Sequence, residues 1–423
     1  MTTPATSEPK ARPDLTSAST RSTSSSSGDL VISSVALFPK LSPVVQAVLF
    51  LDFAEPSPGS LSEPWSDDDL ATLAQQRLAA LALRFAAQHY VRLPERSMST
   101  LRAASFAASS QAMRVTAAST SALAALRDGG IPFVISKGPG ITLLCRGVNE
   151  RPFTDLDVLV ATEDFPKALH TLRALEYAED PEDRPPRQWF DRYCKEAVNL
   201  RSPDGGSVDL HHHLPPWLWT RQVALKDLIA TAQVHQFAGS DLPLLPPVYN
   251  LLVSALHVVS DHNHPGQTLM AWRDVVTLAR GCHSDEVLSV AERCDLVGWL
   301  RWIIGELPEE VRPSELSDVL LTSGRRPGNR LRLRHLLPPS FGSRHTIGQA
   351  LRLPALNSLC YLAGMLVPCR QFLRTKLPGS RLTYVQWWSA CIQRFLIART
   401  NVQPRPDSKP ARLADGQPAR RSD

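Results

Sequence analysis

Phe133-Val-Ile-Ser-Lys137-Gly138 and Arg151-Pro-Phe-Thr-Asp155-Leu-Asp157-Val-Leu-Val160 decide how this chain folds. The first is a β-branched and aromatic run ending in Lys-Gly. The second carries two aspartates, two residues apart, at the head of an apolar run. Side chains alternate across a strand, so Asp155 and Asp157 share one face while Leu156 and Val158 take the other. Adjacent carboxylates repel and are costly unless protonated or bridged by a cation. A hard divalent ion answers that need, and Mg²⁺ brings substrate phosphates with it. Asp209, in Gly206-Ser-Val-Asp209-Leu-His211, supplies a third carboxylate on a later strand, with His211 on the same face. Asp-x-Asp alone is a common pattern. Lys-Gly, Arg, Asp-x-Asp and Asp-x-His in order, each at a strand end, is far more specific.

Composition bounds the rest. The chain has 423 residues, 43% hydrophobic and 21% charged, enough to bury a sizeable core. The formal charge is only +5, and the basic residues are not gathered into a stripe, so nucleic acid is not an expected partner. Seven cysteines are scattered without a Cys-x-x-Cys pair. That argues against a disulfide framework or structural zinc and for a reduced, cytoplasmic setting. The N-terminus has no apolar export segment, and Leu353–Pro368 is too short to span a bilayer of ~30 Å, so no membrane partner is expected.

Residues 1–30 are Ser/Thr/Pro-rich and are expected to be a disordered tail, as are residues 404–423. Between them the pattern predicts an N-terminal helical region (31–130), an α/β core (131–215) and a C-terminal helical region (216–403), with helices on both sides of the core. Ser42 followed by Pro43 and Ser66 followed by three aspartates read as helix starts. Helical spacing runs through Leu70–Val91 and Leu101–Leu126, and Asp128-Gly129-Gly130 ends the second helix. Ala197–Leu200 and Ser207–His211 read as a hairpin around Ser-Pro-Asp-Gly-Gly. Helical stretches resume at Val248–Val259, Leu269–Arg280, Asp285–Cys294 and Val297–Ile304, with further apolar stretches from about Ile347 to Ile397.

Individual motifs stay open to two readings. Gly138-Pro-Gly140 is either a phosphate-cradling turn or an ordinary strand-to-helix turn. It is no Walker motif, because Lys137 precedes the glycine. Arg151 either contacts a nucleotide or forms a structural ion pair, for instance with one of the aspartates. The His211-His212-His213 tract and His257 with His262 and His264 invite a zinc reading, but neither has a regular ligand pair. One inward histidine per cluster is the simpler reading. Trp272-Arg273-Asp274 either lines a pocket or belongs to a core helix.

Ser136-Lys137-Gly138, Arg151-Pro-Phe-Thr-Asp155-Leu-Asp157 and Val208-Asp209-Leu-His211 together resemble the uncharacterised nucleotidyltransferase family of the polymerase-β-like superfamily. The chain departs from that pattern at Pro139 and in a proline-laden, charged insertion at Asp180–Arg187, and Lys137-Gly138 stands where the superfamily has a Gly-Ser phosphate loop. The resemblance implies an α+β fold, a small mixed-sheet core flanked by helical regions. It also implies Mg²⁺-dependent transfer of a nucleoside monophosphate, or related phosphate group, from an NTP such as ATP to a hydroxyl of a small-molecule, peptide or protein acceptor. Asp155, Asp157 and Asp209 would hold the metal and carry the catalysis. Lys137, Gly138, Arg151 and His211 would handle the nucleotide. The alternative is a non-catalytic nucleotide sensor or antitoxin-like partner with the same fold; the full set of three carboxylates and a lysine favours the enzyme.

Overall fold

The computed structural model describes residues 38, 40–62, 64–179, 196–215, 223–260, 268–322, 355–370, 372–373 and 384–389. The expected tails and the insertion at Asp180–Arg187 lie outside these residues, as does most of the apolar sequence after residue 322.

A seven-stranded mixed sheet carries the sequence motifs. Its strands are β1 (Phe133–Ser136), β2 (Leu156–Val160), β3 (Ala178–Glu179), β4 (Ala197–Arg201), β5 (Ser207–His211), β6 (Gln233–Phe237) and β7 (Ser240–Leu244), in the order β3-β4-β5-β2-β1-β7-β6. β1 runs antiparallel to β2 and parallel to β7; β2 runs parallel to β5. The α+β expectation holds, but the core does not stop at residue 215. The β6–β7 hairpin belongs to the same sheet. Its two-residue turn is Ala238-Gly239, with φ of 50° and 80°, where Asn-Gly would have announced such a turn. β6 is almost wholly exposed and polar, so it shows no apolar alternation.

Alternation gives the sheet two unlike faces. Phe133, Ile135, Leu156, Val158, Val160, Leu200, Val208 and Leu210 form one cluster with Ala112–Leu126 of helix α5 (Glu95–Asp128) and with α7 (Phe165–Ala174). The opposite face carries Val134 and Leu159 under α8 (Leu225–Ala230) and α9 (Pro247–Ser260). On that face Asp157, Asp209 and His211 replace apolar residues.

The helices before and after the sheet form one body. α1 (Pro43–Leu49), α3 (Asp67–Gln75) and α4 (Ala79–Gln88) share a core with α9, α10 (Thr268–Gly281), α11 (Ser284–Arg293), α12 (Val297–Glu306) and α13 (Ser314–Thr322). The two helical regions expected from sequence are therefore merged by packing. α2 (Pro58–Ser62) is a short turn of helix, and after α14 (Ala355–Leu366) a further helical stretch is described at 384–389. Leu101 of α5 lies in the helical core and Leu126 in the sheet core, so this 34-residue helix ties the two together. Its end is a Schellman cap: Gly130 has φ of 61°, with Ile131 N–H donating to Leu126 O and Gly130 N–H to Arg127 O. Ser42 caps α1, and Ser66 forms a capping box with Asp69 on α3. No described helix is long and apolar enough to cross a membrane.

The continuous helical spacing of Leu70–Val91 breaks between α3 and α4. Arg77, at φ 60°, occupies the left-handed position of a second Schellman cap, with Leu78 N–H donating to Leu73 O. Leu73 and Leu78 are both fully buried and form the apolar clasp of that motif.

Candidate active site

Register brings the motifs together. Ser136 of β1 pairs with Asp157 of β2, and Asp157 pairs with Asp209 of β5. Lys137, one residue past Ser136, therefore arrives beside the carboxylates, its Nζ 3.3 Å from Asp157 Oδ1. His211 Nε2 lies 3.2 Å from both Asp157 Oδ1 and Asp209 Oδ2. One donor atom each from Asp157, Asp209 and His211 falls within 4.8 Å of the others. Among the described residues these three alone could gather a metal ion by such convergence. Asp155 stands half-buried just before β2.

Electrostatics mark the cluster as overloaded with carboxylate. Burial first, and then the charge of Asp157, push the Asp155 carboxyl up to about 6; Asp209 adds to this, against Lys137 and Arg77. Burial alone would also raise Asp157, but Lys137 and the His211 hydrogen bond hold it well below the usual carboxylate range. For His211 burial opposes charging, yet Asp209 and Asp157 lift it to about 10. Lys137 is likewise raised: the charges of Asp157, Asp155 and Asp209 outweigh its desolvation.

The Lys-Gly turn is held from a distance. Lys137 has φ of 46°, a region that L-residues rarely adopt. Asn250 on α9 fixes it: its Oδ1 accepts from Lys137 N–H at 2.9 Å and from Ser136 Oγ at 3.1 Å, while its Nδ2 donates to Leu245 O at 3.1 Å. The following helix α6 (Gly138–Thr142) packs closely: a Cβ at Gly138 would stand 3.4 Å from the Phe153 ring, and one at Gly140 would stand 3.3 Å from Asn250 Nδ2. The first-turn amide of Lys137 is thus already taken by Asn250.

Arg151 resolves as an ion pair, but not with the strand aspartates. Its Nε and Nη2 donate to the two carboxylate oxygens of Asp274 on α10 at 2.7 and 2.8 Å, and Nη1 donates to Pro152 O at 2.9 Å. Trp272-Arg273-Asp274 is accordingly a core segment: all three are buried, and Arg273 donates to Leu49 O and Leu51 O. Of the histidine tract, two residues are buried, not one: His211, and His212, whose ring lies 4.3 Å from that of Phe165. Burial and the neighbouring His212 hold His213 down to about 3. His262 and His264 lie outside the described residues. The five described cysteines are unpaired.

Two residues, one that holds the Lys-Gly turn and one within the field of Asp155, escaped the sequence reading. Asn250 is a lone amide in the apolar run Val248–Val259, and a buried amide in such a run needs partners. Arg77 sits in what reads as mid-helix.

A family model described as uncharacterised nucleotidyltransferase matches residues 65–303, more than half of the chain. The chain belongs to that family. No curated protein matches it. The nucleotidyltransferase match begins at Trp65, before α3, and ends at Ile303 in α12, so it takes in the sheet, the Asn250 helix and the Arg151–Asp274 pair.

Proposed function

We propose that this chain transfers a nucleoside monophosphate from an NTP to a hydroxyl of a small-molecule, peptide or protein acceptor in the cytoplasm, with Mg²⁺ held by Asp155, Asp157 and Asp209. The observation that carries the reading is the facing pair Asp157 and Asp209 on parallel strands, with His211 bridging them and Lys137 alongside. The donor set suits the ion: buried or half-buried carboxylates crowd together, and one of them holds its proton up to about 6 in response to burial and its neighbours. Oxygen donors are those that Mg²⁺ prefers. His211 Nε2, shared between two carboxylates, orients them.

A divalent ion bound there supplies positive charge to the polyphosphate and to the departing pyrophosphate. Asp209, the more open of the facing pair, accepts the proton of the acceptor hydroxyl. His211 keeps the Asp209 carboxylate aimed. Lys137 neutralises phosphate charge as the leaving group forms, and Gly138, whose missing side chain leaves room for the Phe153 ring, presents its backbone N–H to the same phosphates. Arg151 acts indirectly, by fixing the chain that leads into Asp155.

The test is incubation with each α-labelled NTP, Mg²⁺ and cell extract, followed by detection of labelled acceptor. Wild type transfers label and Asp209→Asn does not. Equal transfer by both rules out this site.

A further inference from the structure

The cations around the carboxylates are nearly all spoken for. Lys137 faces Asp157, and Arg151 is locked to Asp274. Arg84 holds Asp52 and Glu150, and Arg273 holds the end of α1. Arg77 differs: among the described residues its side chain makes no hydrogen bond or ion pair, although it lies within the field of both Asp155 and Arg151.

Its backbone position sharpens the point. The left-handed residue of a Schellman cap is normally glycine, since a side chain there is strained. Tyr90, Glu176 and Asp295 occupy the equivalent position after other helices of this chain, and all three side chains are exposed. Arg77 is partly buried instead. Both flanks of the cap are anchored: Gln76 Oε1 accepts from Leu269 N–H at the start of α10 at 3.2 Å, and Leu78 is fully buried. The backbone that carries Arg77 is therefore held on both sides. A guanidinium carries five donors in a fork suited to phosphate oxygens.

We infer that Arg77 binds the polyphosphate of the incoming nucleotide. This inference rests on the reading of the site as an NTP site and adds the residue that recognises its phosphates. An arriving triphosphate brings charge that Lys137 meets while shared with Asp157, and that Arg151, locked to Asp274 and Pro152 O, is not placed to meet. Arg77 can meet it without breaking a hydrogen bond or ion pair to any of the described residues.

The cap position makes a clean experiment possible. Arg77→Gly deletes the guanidinium and places at that site the residue its backbone prefers, so the melting temperature stays level or rises. Titration calorimetry with Mg²⁺–tripolyphosphate and with each Mg²⁺–NTP reads the effect. The affinity of Arg77→Gly for both falls about 10–100-fold, the range of a charge-assisted hydrogen bond, and Arg77→Lys recovers part of it. Nucleoside monophosphate binding is unchanged. If Arg77→Gly binds Mg²⁺–tripolyphosphate as wild type does, while Asp209→Asn does not, the inference falls and the nucleotide site stands. If wild type binds neither probe, both fall together. Lowered affinity accompanied by a lowered melting temperature in Arg77→Gly, with no recovery in Arg77→Lys, makes Arg77 a structural residue and also overturns the inference.

Discussion

Two groups of buried charge meet along one stretch of chain, and they are built oppositely. Around Arg151 the account closes: three guanidinium donors meet three acceptors, two of them the oxygens of a single buried carboxylate. Four residues later the account stays open. Asp155, Asp157 and Asp209 crowd a surface where Lys137 and His211 both lean on Asp157, and Asp155 is left half-buried with its pKa raised by burial and by its neighbours' charge. Closed charge holds a fold together. Open charge is what a ligand can complete, and chemistry follows it.

The largest expected effect comes from opening the closed pair. Asp274→Ala leaves the Arg151 guanidinium buried without its partner, a change that costs about 3–5 kcal/mol. Denaturant titration should register it as a fall in the unfolding midpoint. Replacing both partners, Arg151→Met with Asp274→Leu, should recover most of the loss, because two apolar side chains of similar volume remove the stranded charge. No recovery would mean that Arg151 is needed for more than the pair.

The converse substitution touches the open cluster. Asp209 is the less buried of the facing carboxylates and, among the described residues, is held by His211 alone, so Asp209→Asn should leave the unfolding midpoint nearly unchanged. Transfer activity should drop on the order of 10²–10³-fold, as when one preorganised electrostatic partner is lost. A large loss of stability with retained activity would invert the comparison.

Asn250 stands between the two kinds. It is structurally closed, with donor and acceptor both matched, but what it closes is the strained turn of the open site. Asn250→Ala strands the Lys137 amide and the Ser136 hydroxyl, at about 1–3 kcal/mol. It should also raise KM for the nucleotide through a displaced Lys137. Loss of stability alone would show that Lys137 keeps its place without this support.

What the sequence made legible follows the same division. The open site was readable because strand alternation is local: Asp155-Leu-Asp157 and Asp209-Leu-His211 announce which side chains share a face, and Leu156, Val158, Val208 and Leu210 announce which face is covered. Caps at Ser42, Ser66 and Gly129-Gly130 are equally local, and all three formed as expected. The closed pair was not readable, because Arg151 and Asp274 lie 123 residues apart and nothing near either one names the other. The β6–β7 hairpin escaped because its outer strand is polar and its turn lacks asparagine. The α3–α4 break escaped because Arg77 stands where glycine would have marked a helix end. Tertiary burial of Leu73 and Leu78 outweighs the local preference for helix there.

The smallest effect tests whether a closed carboxylate can be told from an open one by pH alone. Asp69 is buried in the α3 cap, where it accepts from Ser42 Oγ, from Ser66 N–H at 3.0 Å and from Ser66 Oγ at 2.7 Å. Burial by itself would raise its pKa, but those hydrogen bonds outweigh burial and lower it from 3.8. A carboxyl depressed on folding binds its proton more weakly in the folded state than in the unfolded one. Its contribution is therefore fully present above the unfolded value and fades as pH falls through the folded one. Asp69→Ala should cost about 1 kcal/mol near neutrality, the size of a capping interaction, and the gap to wild type should close as the solution is acidified below 3.8. Asp155 is shifted in the opposite direction, so the two aspartates differ in sign as well as in surroundings. Paired thermal melts from pH 7 down to about pH 2.5 give the answer. A gap that persists at the acid end would mean that Asp69 stabilises α3 by packing and not by its charge.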